Sequence, residues 1–374
     1  MKYLPLGSFV RLMVIIAQQG GVPARSIMHL LPWLIKTILL EPFRLLELVI
    51  FERKIRNHQL KEDPIFILGH YRSGTTFLYR ILMQNRQLGY MTMLQSVAPE
   101  FMLLLEKPLT PLLEMIAKIF KMRNHFHRLP LSWDFPGEDD VGMTALVTPL
   151  GSQWGVMFPE NFKDQFNKNV LNTNASWLNQ YQYLVRKISM AANGKQLVLK
   201  SPPNTARVKE LLKAYPNAKF IYIHRNPMDV YGSSVQFWDT ILREYVLGRS
   251  SDFNKHETIL WQYEKMISAY LDQKYLIPEE NLTEVAYQDL INDPSATVES
   301  IFRILKIKGY EESRYAMDAF IETQRTYEKL KHKNNPNAKE ISIRWKKIFD
   351  HWSYPTPQTN HDDGHTAKKL SEIS

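Results

Sequence analysis

One stretch near residue 64 constrains this chain more than any other. Pro64-Ile65-Phe66-Ile67-Leu68-Gly69-His70-Tyr71-Arg72-Ser73-Gly74-Thr75-Thr76-Phe77 reads as a buried strand that runs into a small, hydroxyl-rich turn and then a helix. Four consecutive apolar residues, Ile65 to Leu68, suit a parallel strand covered on both faces. Gly69 and Gly74 bracket a turn where the backbone can come close to a ligand. Thr75 and Thr76 open the helix, so free backbone N–H groups and two hydroxyls converge there. That is an anion cradle, most simply for a phosphate. The spacing nearly matches a nucleoside-triphosphate loop, which needs a lysine directly after the second glycine. Thr75 stands in that place, and the positive charge is Arg72, ahead of the glycine. Taken alone, the motif also suits a tight turn with no ligand.

Two further stretches narrow the choice. Leu197-Val198-Leu199-Lys200-Ser201-Pro202-Pro203 is a second short apolar strand, ending in a lysine. Phe220-Ile221-Tyr222-Ile223-His224-Arg225-Asn226-Pro227 is a third, ending in an arginine and a proline turn, with Ser233 on the helix that follows. Arg225 and Ser233 can converge on one phosphate. All three polar clusters lie at the carboxyl ends of apolar strands, where open parallel sheets bind ligands.

In these residues the chain resembles the sulfotransferases that use 3′-phosphoadenosine 5′-phosphosulfate (PAPS). Tyr71-Arg72-Ser73-Gly74-Thr75-Thr76 resembles the family's 5′-phosphosulfate loop. Ile223-His224-Arg225-Asn226-Pro227 through Ser233 resembles its 3′-phosphate strand and helix. Lys200-Ser201-Pro202 matches a lysine that sits near the transferred group in many relatives. Glu284-Val285-Ala286-Tyr287-Gln288-Asp289-Leu290-Ile291-Asn292-Asp293-Pro294 resembles a late strand-and-turn element. The resemblance covers roughly residues 60 to 350 and is nearer to the bacterial-type branch. It implies a P-loop-like parallel sheet flanked by helices, PAPS as cosubstrate and no required metal. In the cytosolic detoxifying branch a catalytic histidine follows the lysine by two residues. Pro202 occupies that position here, so the resemblance places the base elsewhere.

The alternation of strand and helix signals supports the same class independently. Strand signals fall at 65–68, 88–93, 196–200, 219–224 and 282–287, and helix signals at 75–86, 204–214, 227–243 and 294–306. Such alternation means a parallel sheet with helices on both faces. Residues 99 to 194 break the pattern and read as a helical insertion over the strand ends, placed to form an acceptor pocket. The expected organisation is an amphipathic helical region over 1–60, a catalytic domain over 61–354 with an insertion over 100–195, and a frayed tail over 355–374. Residues 338 to 352 read as helical and basic.

Composition bounds the rest. The chain has 374 residues, and its +9 net charge suits an anionic ligand, a nucleic acid or an anionic membrane. No nucleic-acid motif is present, so a nucleotide cosubstrate is the economical partner. The absence of cysteine excludes disulfides, thiolate metal sites and cysteine nucleophiles, and fits a cytoplasmic compartment. His125 and His127 are the nearest approach to a metal pair, and that spacing is common on polar surfaces.

The first 63 residues hold nine Lys or Arg against five Asp or Glu. Arg11 interrupts the opening apolar run and no small-residue cleavage site follows, which argues against a signal peptide. Residues 27 to 51 are rich in Leu and Ile, but Lys36, Glu41, Arg44 and Glu47 break the run that a spanning helix of about 20 residues needs. Pro32 and Pro42 predict two short amphipathic helices rather than one. They either pack on the domain or lie in a membrane interface.

Under the resemblance, Arg72, Ser73, Gly74, Thr75 and Thr76 cradle the 5′-phosphate, Arg225 and Ser233 hold the 3′-phosphate, and Lys200 neutralises the leaving oxygen. Tyr287 either contacts the adenine side or is a core tyrosine. An acceptor hydroxyl also needs a base. The leading group is Pro136-Gly137-Glu138-Asp139-Asp140-Val141, with Glu138 and Asp139 as candidates and Glu100 and His127 in reserve. Carboxylates in a first helical turn also serve the helix dipole, so both readings stand. Lys331, His332 and Lys333 form a basic run that either returns over the 3′-phosphate or is simply solvated.

The insertion supplies Phe101, Met102, Leu103, Leu104, Phe120, Phe126, Trp133, Phe135, Trp154 and Phe158, which are either core or the wall of a pocket for a sterol or lipid alcohol. A carbohydrate or peptide acceptor, a P-loop kinase-like phosphotransferase, and a non-catalytic peripheral membrane protein are the rival readings.

Overall fold

The computed structural model describes residues 6–18, 21–123, 131–146, 150–250, 253–324 and 336–356. Five parallel strands form one sheet in the order β2-β3-β1-β4-β5. They are β1 (Ile65–Leu68), β2 (Leu88–Tyr90), β3 (Gln196–Lys200), β4 (Lys219–His224) and β5 (Leu282–Ala286). The strand carrying the glycine turn is therefore central, with β3 and β4 on either side. Ile67 of β1 is in register with Lys200 of β3 and with Ile221 of β4. This register brings the three polar strand ends side by side.

Both faces of the sheet are covered, as the unbroken apolar runs require. Phe66, Leu68, Leu199, Phe220 and Tyr222 join one core with residues of helices Ala175–Ala191 and Lys255–Gln273. Ile65, Ile67, Val198, Ile221 and Ile223 join the other with helix α3 (Thr75–Leu82) and helix Pro294–Ile304. Residues 338 to 351 are helical, in Ala338–Arg344 and Lys346–His351.

The insertion is helical, as its composition predicts. Its main members are helices Met102–Ile119, Asp139–Leu146 and Ala175–Ala191. Ahead of the sheet stand α1 (Leu6–Gln18) and α2 (Ala24–Asn57). Phe9, Leu12 and Ile16 of α1 share a small core with Trp154, Met157 and Phe158 of the insertion.

Here the structure corrects the sequence. One 34-residue helix runs through both Pro32 and Pro42, where two short helices are expected. Each proline forfeits one backbone hydrogen bond. Packing of one long face against helix Ala175–Ala191 and helix Met102–Ile119 holds the element together.

Candidate active site

The glycine turn is built to hold an unusual backbone. Thr205 ties down its first residue, accepting from Gly69 N–H at 2.8 Å and donating to Gly69 O at 3.1 Å. Arg72 adopts φ 70, the left-handed region that a side chain rarely enters. The third motif holds it there. Arg72 Nε donates to Ser233 Oγ at 2.8 Å, and Arg225 Nη1 donates to Arg72 O at 3.3 Å. Gly74 has φ 103, and a Cβ on it would collide with the ring of Tyr287. That ring carries the Arg225 guanidinium on its face, 4.4 Å from the centroid. Five residues singled out in the sequence, Arg72, Gly74, Arg225, Ser233 and Tyr287, thus form one cluster. Within it Arg225 Nε is buried and has no hydrogen-bond partner. A buried cationic donor left unsatisfied suits an anion site.

Ser73 behaves differently from the expectation. Its amide and its hydroxyl both donate to His70 O, at 3.2 Å and 2.7 Å, so its donors close the turn. Thr75 and Thr76 begin α3 and border the main cavity.

Lys200 ends β3 with its side chain only 3% exposed. Its ammonium pairs with the Glu138 carboxylate, lies 3.5 Å from the Thr76 hydroxyl and stands 6.0 Å from the Tyr79 ring centroid. Glu138 reaches it because the preceding segment is clamped to the chain beyond β2. Met93 N donates to Phe135 O at 2.6 Å, and Gly137 N donates to Met91 O at 2.7 Å. A Cβ on Gly137 would sit 2.5 Å from Thr92 O, so only glycine permits this approach. Beyond Glu138 the chain enters helix Asp139–Leu146, and Asp140 N donates to Ser201 Oγ at 2.9 Å, one residue past the lysine.

The structure separates the two candidate bases. Asp139 is fully buried and turned away from Lys200. It accepts from the Tyr181 hydroxyl at 2.6 Å and from Asn204 Nδ2 at 2.7 Å. Burial pushes its pKa up, opposed by those hydrogen bonds. Asp140 is equally buried and ion-paired with Arg207 at 2.8 Å, and it accepts from Ser152 N at 2.9 Å. These two carboxylates fasten the insertion to residues 201–207, while Glu138 alone of the three borders the cavity.

Of the reserve candidates, Glu100 does not join the site. Glu100 borders a different cavity beside Arg11, Arg44 and Arg186, where burial pushes its pKa up to about 7. His127, with His125, Lys331, His332 and Lys333, lies outside the described residues.

The main cavity, of about 380 Å³, is bordered by Arg72, Thr75, Thr76, Glu138 and Lys200 together with an aromatic wall. That wall includes Trp133 and Phe135, as expected, and also Phe162, Phe166, Phe237 and Trp238. Phe101 and Met102 are buried in cores instead, Trp154 and Phe158 pack against α1, and Phe120 is exposed. Phe126 lies outside the described residues. Arg80 also borders the cavity, with its guanidinium 4.9 Å from the ring centroids of both Phe135 and Phe320. The sequence held signals for some of these. Phe162 and Phe166 are four apart on a predicted helical stretch, and Phe237 and Trp238 lie one turn past Ser233. Nothing in the sequence marked Arg80.

A cationic, hydroxyl-lined cradle at the head of a central strand thus shares a cavity with a lysine–carboxylate pair and an aromatic wall. Comparison with known proteins agrees with that arrangement. The family model described as "Sulfotransferase family" matches residues 64–312. The omega-hydroxy-beta-dihydromenaquinone-9 sulfotransferases Stf3 of Mycobacterium bovis and Mycobacterium tuberculosis are each 23% identical over 309 residues, covering 81% of this chain and 76% of the relative. Among solved structures, sulfotransferase STF9 from Mycobacterium avium has a TM-score of 0.67 at 17% identity, over 80% of this chain and 79% of that one. Sulfotransferase STF1 from Mycobacterium tuberculosis has a TM-score of 0.63 at 16% identity, over 85% of this chain and 87% of that one. These two likenesses establish the shared fold.

Proposed function

The chain belongs to the sulfotransferase family and is an enzyme of it, and from that premise we propose that it moves a sulfuryl group from PAPS to the hydroxyl of a small hydrophobic alcohol. The observation that carries the reading is the Lys200–Glu138 pair, set in an aromatic cavity that Arg72, Thr75 and Thr76 also border.

When bound, PAPS would supply the sulfuryl group, with 3′-phosphoadenosine 5′-phosphate as the leaving group. The residues of this chain fit such a polyanion. Arg72, Thr75 and Thr76 would hold the 5′ side, and Arg225 and Ser233 the 3′-phosphate, with the orphaned Arg225 Nε–H as an unused donor. Tyr287 supports Arg225 from below its guanidinium plane. Lys200 presents an ammonium in a nearly water-free setting, where opposing the charge that develops on a leaving oxygen counts for most. Glu138 is the general base of this reading. It takes the proton from the acceptor hydroxyl as the new S–O bond forms, then releases it to water. Asp139 is not given that role, because it is fully buried and does not border the cavity.

The wall supports the acceptor class. Trp133, Phe135, Phe162, Phe166, Phe237 and Trp238 suit an apolar body carrying one hydroxyl better than a polyhydroxylated sugar. The mycobacterial relatives are named for an omega-hydroxy-beta-dihydromenaquinone-9 acceptor, which is a hydroxyl compound of that kind.

The test is a pair of conservative variants assayed with PAPS and a panel of sterol and lipid alcohols. Glu138→Gln is expected to lower turnover by roughly 10²-fold or more while the affinity for 3′-phosphoadenosine 5′-phosphate changes little. Asp139→Asn is expected to lower stability and leave turnover per folded molecule largely intact. Equal turnover losses in both variants, or none in Glu138→Gln, would remove Glu138 from the role of base.

A further inference from the structure

The long helix α2 is amphipathic the wrong way round for a helix that lies on a protein in water. Met28, Leu31, Ile35 and Ile38, then Leu45 and Val49 after a seven-residue step, recur at helical spacing along its outer side. All six are exposed, Met28 by 77% and Val49 by 83%. Polar residues lie on its inner side. Thr37 is fully buried, and Glu47, 1% exposed, is ion-paired with the buried Lys187 at 2.6 Å. At about 1.5 Å per residue the outer stripe runs for some 30 Å. An apolar strip of that length exceeds what a monomer ordinarily leaves in water.

Its neighbours extend the same face. Both α1 and helix Met102–Ile119 pack against α2. Val10 and Val14 of α1 are exposed, as are Leu112, Met115 and Ile119 of the other helix and Phe120 just after it. The charges that accompany these elements on the outside are mainly basic: Arg53 and Lys54 at the end of α2, and Lys107, Lys118 and Lys121 along and after helix Met102–Ile119. The next two residues, Met122 and Arg123, border the cavity that holds Lys200 and Glu138. The exposed apolar end of that helix is thus continuous with the cavity.

We propose that α1, α2 and helix Met102–Ile119 form a docking face for an anionic phospholipid bilayer. Their apolar side chains enter the interface, and Arg53, Lys54, Lys107, Lys118 and Lys121 meet the headgroups. The protein lies on the bilayer rather than through it, since no described helix is long and apolar enough to cross one. Continuity with the cavity favours a bilayer over a second copy of the chain, because an apolar alcohol partitions into lipid and reaches the catalytic pair at the face where it dissolves. That last step rests on the acceptor class proposed above; the docking itself rests on the surface alone.

The experiment is therefore run without donor or acceptor. The full chain is co-sedimented with phosphatidylcholine vesicles and with vesicles of phosphatidylcholine mixed with phosphatidylglycerol. Preferential binding to the mixed vesicles is expected. The double variant Leu45→Glu/Val49→Glu should weaken it by roughly tenfold or more. Arg53→Glu/Lys54→Glu should abolish the preference for anionic lipid. A circular-dichroism spectrum and a thermal midpoint that match the wild type show each variant to be folded, whatever the donor and acceptor prove to be. Absence of binding to both vesicle types would overturn the proposal, as would binding indifferent to the Leu45→Glu/Val49→Glu change. So would a concentration-dependent dimer, broken by that change, in a chain that ignores vesicles.

Discussion

Glu138 and Asp139 are neighbours in sequence with opposite fates. Glu138 is the last residue before helix Asp139–Leu146 and borders the cavity, while Asp139 opens that helix and is buried. Gly74 is as tightly determined. Its positive φ and the Tyr287 ring behind it leave no room for a methyl group. Gly74→Ala is expected to cost about 1–3 kcal/mol of stability and to weaken binding of 3′-phosphoadenosine 5′-phosphate, because the ring that would have to move also supports Arg225; calorimetric titration reads the second effect. His70 makes a pH prediction. Its Nδ1 is 2.9 Å from Tyr71 O, its Nε2 is buried without a partner, and burial pulls its pKa down to about 4 from the usual 6.5. Between those values the unfolded chain binds a proton at this histidine that the folded chain refuses. Its contribution to stability is therefore intact above about pH 6.5 and falls away as the pH drops toward about 4, by about 1.4 kcal/mol per pH unit. His70→Gln should remove that slope relative to the wild type when thermal midpoints are compared between neutral and acid pH. An unchanged slope would mean that His70 is not held neutral.

At the scale of elements, the sequence was legible where local pattern and tertiary role coincide. The strands β1, β3 and β4 lie where apolar runs ending in Gly, Lys and His-Arg put them, because a strand buried on both faces has to be apolar throughout. The cradle was legible for the same reason, since its donors sit at strand ends. Helix α2 was not. Pro32 and Pro42 are strong local breakers, and only its long packed face, invisible in a one-dimensional reading, overrides them. Residues 201–207 were also missed. Asn204, Thr205 and Arg207 fall within a helix signal and Ser201 within the lysine motif, yet they tie the insertion and the glycine turn to β3 through contacts with residues at least 60 positions away. The Asp140–Arg207 pair, with each side chain 1% exposed, is the ion pair among these ties. Arg207→Met strands a buried carboxylate and should cost about 3–5 kcal/mol, while Asp140→Leu/Arg207→Met should recover part of that loss. Chemical denaturation of the three proteins measures both effects; a double variant as weak as the single one would show that Ser152, not charge, governs the site.

Across the whole molecule, three layers divide the work. The parallel sheet aligns three polar strand ends, and the register of β1, β3 and β4 places Lys200 beside the glycine turn. The helical insertion closes over them, contributes Glu138 and builds an aromatic wall. The N-terminal helices add a face that belongs to neither core. The +9 net charge agrees with both an anionic cosubstrate and an anionic surface.

The central claim is that Arg225 and Ser233 read a 3′-phosphate. The most direct measurement is calorimetric binding of 3′-phosphoadenosine 5′-phosphate, AMP, ADP and ATP, with and without magnesium, to the wild type and to Arg225→Ala. The account predicts selective, magnesium-indifferent binding of the 3′-phosphorylated nucleotide, and a loss in Arg225→Ala far larger for it than for AMP. Preference for ATP with magnesium, or an equal loss for both nucleotides, would contradict it.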